Sequence, residues 1–79
     1  MRVTIAKVDQ VFYDGEAESL TAPGAAGEMT ILEGHMALIT TLKEGMLTVR
    51  GSSIPGGLQQ FPVQSGVMEV RHDGATVIL

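Results

Sequence analysis

The sequence predicts a small all-β protein, folded as a sandwich or barrel of short antiparallel strands. Glycine and proline interrupt the chain so often that few intervals reach ten residues, which leaves little room for helices of ordinary length. Between the breaks, apolar and polar residues alternate as they do in half-buried strands. Short strands divided by turns at this spacing are typical of sandwiches and barrels. The interrupting residues are glycines 15, 24, 27, 34, 45, 51, 56, 57, 66 and 74 and prolines 23, 55 and 62.

The individual elements follow from alternation and from turn chemistry. Residues 2–5 (RVTI) and residues 47–50 (LTVR) alternate between polar and apolar side chains, and both patterns predict strands. Asp14-Gly15 and Asp73-Gly74 are dipeptides that favour tight hairpin turns, because glycine accepts the positive φ that such turns need. We therefore expect one hairpin turn at each dipeptide.

Two further segments complete the prediction. Residues 51–57 (GSSIPGG) indicate a longer loop. Residues 35–44 carry apolar side chains at a spacing that fits either a helix or a strand. We predict a strand there, because Ile39, Thr40 and Thr41 are β-branched. The chain has no internal repeat and no linker, so residues 1–79 are expected to form a single domain.

Composition excludes several classes of protein. The 79-residue chain has no cysteine, which removes disulfides, thiolate zinc sites and cysteine nucleophiles. Its net charge is −4, and its five Lys and Arg residues are scattered, which argues against a nucleic-acid partner. No stretch approaches the roughly 18 to 20 apolar residues of a membrane span, and Lys7 and Asp9 interrupt the region where a signal peptide would be apolar. These features predict a soluble cytoplasmic chain.

The groups that could do chemistry are concentrated in GEMTILEGHMALIT at residues 27–40, which holds Glu28, Glu33 and His35. Metal binding would need a third ligand near one of the only two histidines, and none has suitable spacing. The serines lie outside any nucleophile elbow, and the glycine-containing loop at residues 23–28 lacks the lysine of a phosphate-binding loop. The sequence therefore predicts no catalytic, cofactor or metal site and favours a protein that works by contact.

Several segments together resemble one known family. They are FYDGEA at 12–17, LTAPG at 20–24, GEMTILEGH at 27–35, LIT at 38–40, LKEG at 42–45, QSGVMEV at 64–70 and ATVIL at 75–79. Their order and spacing, over nearly the whole chain, resemble the N-terminal domain of the epsilon subunit of the bacterial F-type ATP synthase, which is called delta in mitochondria. The core G-E-x-x-I-L-x-G-H followed by L-x-T carries most of the specificity.

The resemblance implies an antiparallel β-sandwich of about ten strands and a position in the rotor. In this family the domain lies at the foot of the central stalk, between the gamma subunit and the membrane-embedded ring of c subunits, and couples ion-driven rotation to ATP synthesis. By matching positions, Gly27 and Glu28 are expected to contact the c ring, and His35, Leu38 and Thr40 the gamma subunit. The resemblance also implies a non-catalytic subunit without cofactors, peripheral to the cytoplasmic face of the bacterial inner membrane.

This sequence departs from the family pattern in two ways. Thr30 stands where the family often has glycine, and Glu33 and Ala37 stand where it often has proline, so we expect different loop geometry around His35. Family members commonly continue into a C-terminal pair of helices, which inhibits ATP hydrolysis and in some binds ATP. The sequence ends at Leu79, and we expect the sandwich alone, as a short epsilon subunit or an excised domain.

Two alternative functions stay open at this stage. One is a stand-alone β-domain that binds a peptide or a small ligand at a sheet edge. The other is a small enzyme that uses His35 together with Glu28 or Glu33. Under the second alternative, changing His35 to Ala should abolish some turnover, whereas the rotor function predicts altered assembly or coupling.

Overall fold

A computed structural model describes residues 1–79 and contains nine strands and one short 3-10 turn at Pro55–Gly57. The prediction of an all-β fold is confirmed, with nine strands where about ten were expected. The strands are β1 Arg2–Lys7, β2 Gln10–Glu16, β3 Ser19–Gly24, β4 Gly27–Leu32, β5 Leu38–Leu42, β6 Gly45–Arg50, β7 Leu58–Val63, β8 Gly66–Arg71 and β9 Gly74–Ile78.

Strand pairing divides the sheet into two layers. Five strands, in the order β2-β1-β9-β8-β5, form the five-stranded layer, and β4-β3-β6-β7 form the four-stranded layer. The layers are joined through β3 and β5, which share only the pair Gly24 and Leu42. All strand pairs are antiparallel except β1 with β9, which is the one departure from the predicted antiparallel sheet.

Apolar side chains from both layers meet in one core. The core contains 16 buried apolar residues, contributed by every strand except β2, which adds the partly buried Phe12 and Tyr13. Burying a side chain of this kind contributes about 1.5–3 kcal/mol, so the core provides most of the favourable free energy of folding. The largest side chains with no more than 1% exposure are Ile5, Leu20, Ile31, Leu47, Met68, Val3, Val49, Val70 and Val77.

The predicted turns are partly correct. The chain turns at His72 and Asp73 before β9 begins at Gly74, and residues 51–57 connect β6 to β7 as expected. The prediction of a hairpin at Asp14-Gly15 is wrong, since both residues lie inside β2 and the turn between β1 and β2 is at residues 8–9.

Cross-strand bonds explain why Asp14 stays in an extended strand. Its carboxylate accepts hydrogen bonds from Arg2 Nε at 3.0 Å and from Thr4 Oγ1 at 3.1 Å, both on the neighbouring strand. Gly15 pairs with Val3 and does not use a positive φ. Partners supplied by β1 therefore outweigh the local turn preference of the dipeptide.

The antiparallel pairing places the connections at two opposite ends of the sandwich. One end, called here the Glu28 end, carries the turns at residues 8–9, 25–26, 43–44 and 64–65. The other, called the His35 end, carries the connections at residues 17–18, 33–37, 51–54 and 72–73. Residues 35–44 enter β5 from the His35 end, and the predicted strand in this segment is confirmed.

Candidate contact surfaces

Glu28 lies at the beginning of β4, directly after the turn at Ala25 and Ala26. Gly27 has a φ of 141°, a conformation that favours glycine, so this residue lets the chain reverse into β4. The side chain of Glu28 is exposed and belongs to none of the ion pairs in the structure. A carboxylate in this position is available to a partner that approaches the Glu28 end.

His35 lies at the opposite end, in the loop between β4 and β5. Its ring Nδ1 is 2.7 Å from the carbonyl oxygen of Met36, and the residue is half-buried. Strand β4 rises roughly 17 Å between its first and last residues, which places Glu28 and His35 at the two ends of that strand. The two side chains therefore do not form a common catalytic group.

Glu33 is also occupied by a structural contact. Its Oε1 accepts a hydrogen bond of 3.1 Å from the terminal ammonium of Met1, which also donates to the carbonyl oxygen of Ala17 at 3.0 Å. The hydrogen bond that the ammonium donates to Glu33 is the main cause that holds the pKa of this ammonium above its ordinary value of 8.0. Glu33 thus links Met1, the residue before β1, to the loop after β4.

The predicted gamma contacts on β5 have their side chains on the core side of the strand. Leu38 packs against the core and Thr40 is half-buried, in the same alternation that buries Leu42. Ile39 lies between them on the opposite, outer face and is 73% exposed. The structure therefore adds Ile39 as a surface residue that sequence matching did not select.

A row of apolar side chains crosses the outer face of the five-stranded layer. Val11 pairs with Ala6, Ala6 with Ile78, and Ile78 with Val67, on four adjacent strands. Directly paired residues share one face of a sheet, so these four residues form a continuous row about 14 Å long, called here the apolar stripe. Val11 is 63%, Ile78 49% and Val67 44% exposed, which is unusual for neighbouring apolar residues on one face.

Polar side chains beside the apolar stripe are paired with one another. In the neighbouring rows, Arg2 binds Asp14 at 3.0 Å, and Arg71 binds Glu69 at 3.1 Å and Thr76 at 3.0 Å. These charged side chains on the outer face are therefore already paired within the chain. A protein that binds here would gain free energy mainly by covering the stripe.

The four-stranded layer has a different outer face, with a shallow polar cavity of about 680 Å³. Its floor is formed by side chains from four strands, joined by a hydrogen bond of 3.2 Å between Thr21 and Thr30 and another from Gln60 to Thr48. Glu28, Lys43 and Glu44 line the same cavity toward the Glu28 end. Exposed apolar side chains lie on this face too, at Leu32, Met46 and Leu58, so the two faces differ in having a continuous apolar row on one and a polar cavity on the other.

The structure contains no helix with the length and apolar character needed to cross a bilayer. Its carboxylates and histidines do not gather into a group of three or more that could hold a metal ion.

The fold and its surfaces define a small β-sandwich with an apolar row on one outer face and a polar cavity on the other. Comparison with known families is more specific. The family model for the beta-sandwich domain of the ATP synthase delta/epsilon chain matches residues 1–79, and the chain belongs to this family.

Named relatives agree with this assignment. The chain is 38% identical to the ATP synthase epsilon chain of Laribacter hongkongensis over 80 residues, and 35% identical to those of Herminiimonas arsenicoxydans and Parasynechococcus marenigrum over 78 and 71 residues. These matches cover 99%, 99% and 90% of the chain. They cover 55%, 55% and 50% of the relatives, so the chain spans about half their length.

Solved structures share the fold. A chain of the Euglena gracilis mitochondrial ATP synthase, in a structure of OSCP, F1 and the c ring, superposes with a TM-score of 0.83 at 24% identity. A chain of the Tetrahymena thermophila mitochondrial ATP synthase, in a structure of the central stalk and c ring, gives 0.82 at 20% identity. The matches cover 96% and 99% of this chain, and 48% and 61% of those chains.

Proposed function

We propose that this chain is the sandwich portion of an epsilon subunit in the central stalk of an F-type ATP synthase. In this role it links the gamma subunit to the ring of c subunits and couples ion-driven rotation to ATP synthesis. Family membership supports the proposal, as do relatives named ATP synthase epsilon chain. The single structural observation that carries it is the presence, on one shared core, of an apolar row on one outer face and a polar cavity on the other.

The apolar stripe is the surface we assign to the gamma subunit. Its flanking charges are already paired within the chain, so binding there requires little desolvation of free ions. Ile39 lies on the same face, on the strand that follows the His35 loop, and extends the apolar surface toward the predicted gamma contacts His35, Leu38 and Thr40. Covering this surface would supply most of the affinity.

The Glu28 end is the surface we assign to the c ring. Gly27 positions Glu28 at a turn, and its carboxylate has no partner within the chain. An exposed ion pair contributes only about 0–1 kcal/mol, so contact with a basic ring loop would fix orientation more than it would add affinity.

A rotor element must transmit torque without deforming, and we propose that residues 1–79 act as one stiff domain for this purpose. The two layers share one core of interlocked side chains, and close-packed interiors resist compression. The domain would perform no chemistry of its own. It would lie at the cytoplasmic face of the bacterial inner membrane, held there by its partners, in a complex that translocates protons or sodium ions.

Reconstitution tests this proposal. Added to an ATP synthase depleted of its epsilon subunit, the chain should bind gamma in gel filtration at micromolar concentration and restore the coupling of ion flow to ATP synthesis. Absence of a complex with gamma would instead favour a stand-alone binding module. An enzymatic role would require His35→Ala to abolish some turnover, whereas our proposal predicts that this variant changes only assembly or coupling.

A further inference from the structure

The amino group of Met1 is held by three acceptors at the His35 end of the sandwich. Its nitrogen donates to the carbonyl oxygen of Ala17 at 3.0 Å and to Glu33 Oε1 at 3.1 Å, and it lies 3.5 Å from Glu16 Oε1. An ammonium has three N–H donors, so each donor has an acceptor within reach. Met1 is only 8% exposed. The amino group is therefore part of the packed structure.

Backbone pairing fixes the position of this nitrogen. Ala17 N donates to the carbonyl oxygen of Met1 at 2.8 Å, so the two residues exchange two hydrogen bonds. This exchange continues the antiparallel ladder of β1 and β2, in which Arg2 pairs with Glu16. The amino group cannot move away from the two glutamates unless the beginning of this ladder opens.

The surroundings of the amino group are acidic. It borders a shallow cavity of about 470 Å³, whose charged lining groups are the carboxylates of Glu16, Glu18 and Glu33 and the ammonium of Met1. Three carboxylates and one ammonium give a charge of −2, which becomes −3 when the ammonium is neutralised. Glu16 and Glu33 form ion pairs with Met1 and with no other cation. The ammonium is therefore the only counter-charge of these two side chains.

An acyl group on this nitrogen would remove the counter-charge. Formylation or acetylation converts the ammonium into a neutral amide with a single N–H. That N–H can keep the bond to Ala17, but both glutamates lose their donor, and the acyl oxygen adds an acceptor beside them. The cavity has room for the added atoms, so the effect is electrostatic. The raised pKa of the ammonium agrees, because the hydrogen bond to Glu33 outweighs the cost of burial.

We propose that the free amino group of Met1 is required for full stability, and that in a bacterial chain synthesised from Met1 the formyl group is removed before folding. In this hydrolysis water attacks the formyl carbon, the C–N bond breaks, formate leaves and the nitrogen takes up a proton. Because pairing of β1 with β2 buries Met1, a hydrolase reaches the formyl group only before this pairing forms or after it opens. The inference does not depend on contacts with gamma or the c ring, so either proposal can fail alone.

Thermal unfolding of the whole chain tests the requirement for a free amino group. Expression with and without an inhibitor of peptide deformylase yields the formylated and free forms, which differ by one charge and separate by ion exchange. At pH 7 the formylated form should melt about 3–6 °C lower. This difference should fall to less than half in Glu33→Gln and stay unchanged in the control Glu44→Gln, whose exposed carboxylate is at the Glu28 end and forms no ion pair. Equal melting temperatures of the two wild-type forms would overturn the requirement, and an undiminished difference in Glu33→Gln would overturn the role of Glu33.

The order of deformylation and folding needs its own measurement. Release of formate by purified deformylase is compared between the folded formylated chain and a formylated peptide of residues 1–7, which has no β2 to pair with. The folded chain should react at least about tenfold more slowly, because only its open form presents the formyl group. Equal rates on the two substrates would overturn the proposed order.

Discussion

Replacing two residues of the apolar stripe with threonine should weaken binding to gamma without unfolding the chain. Val67→Thr and Ile78→Thr keep the β-branched shape that suits a strand, but each places a hydroxyl group where a partner would cover it. Burying a hydroxyl without a hydrogen bond costs about 1–3 kcal/mol in proteins. The two side chains are already half-covered, at 44% and 49% exposure, so a partner would bury only the remaining part. We therefore take the lower end of this range, a binding free energy loss of about 1 kcal/mol for each substitution. The double variant should therefore bind gamma roughly 30-fold more weakly.

Isothermal titration of purified gamma with the wild type and the double variant measures this loss. Leu58→Thr is a matched control, because Leu58 is 45% exposed but lies on β7, in the other layer. Thermal unfolding of the wild type and both variants verifies that the fold is kept. The assignment of the stripe is refuted if the double variant binds gamma as tightly as the wild type, or if Leu58→Thr weakens binding by as much.

Three further predictions concern stability. Gly74→Ala should cost about 3 kcal/mol or more, because its Cβ would lie 2.2 Å from the Arg2 carbonyl oxygen, whereas Gly15→Ala meets only a contact at 3.4 Å and should be tolerated in urea unfolding. Gly45→Ala should cost about 1–3 kcal/mol, because its Cβ would lie 2.8 Å from Pro23 Cβ, and should shift the amide resonances of the turn at residues 25–26; unchanged resonances would argue against contact between the turns at residues 25–26 and 43–44. Because the pKa of the Met1 ammonium is raised on folding, its contribution to stability is complete below pH 8.0 and is lost as pH rises through the folded value. Melting temperatures between about pH 7 and about pH 10 should fall less for Glu33→Gln than for the wild type, and equal slopes would exclude this contact as the cause.

Local pattern predicted strands well because alternation reports burial on one face. Residues 2–5 and 47–50 alternate as β1 and β6 require, and the buried members are the ones the pattern selects in β1. The hairpin expected at Asp14-Gly15 failed because its real partners, Arg2 and Thr4, belong to another strand. A dipeptide carries no information about which side chains will lie opposite it.

Whether a candidate surface could be predicted also depended on whether its residues are neighbours in the sequence or meet only in the fold. The exposure of Glu28 after a glycine turn could be expected from the sequence alone. The apolar stripe could not, because its residues come from four strands and meet only through their register, in which a shift of one residue reverses every side chain. The remaining signal was weak: Val67 and Ile78 are apolar at positions where alternation calls for polar residues.

The way in which the layers are joined limits how torque could cross this domain. Between strands the layers share only one residue pair, Gly24 and Leu42, with two further backbone hydrogen bonds at the adjacent turns, so few backbone bonds oppose sliding of one layer over the other. Sliding is opposed by the core, where side chains such as Leu20 and Met68 come from different layers and are fully buried. If gamma holds the five-stranded layer and the ring holds the turn at Glu28, which leads into β4 of the four-stranded layer, the load between them passes through these packed side chains. The core that stabilises the fold would then also be the element that keeps the two partners in register.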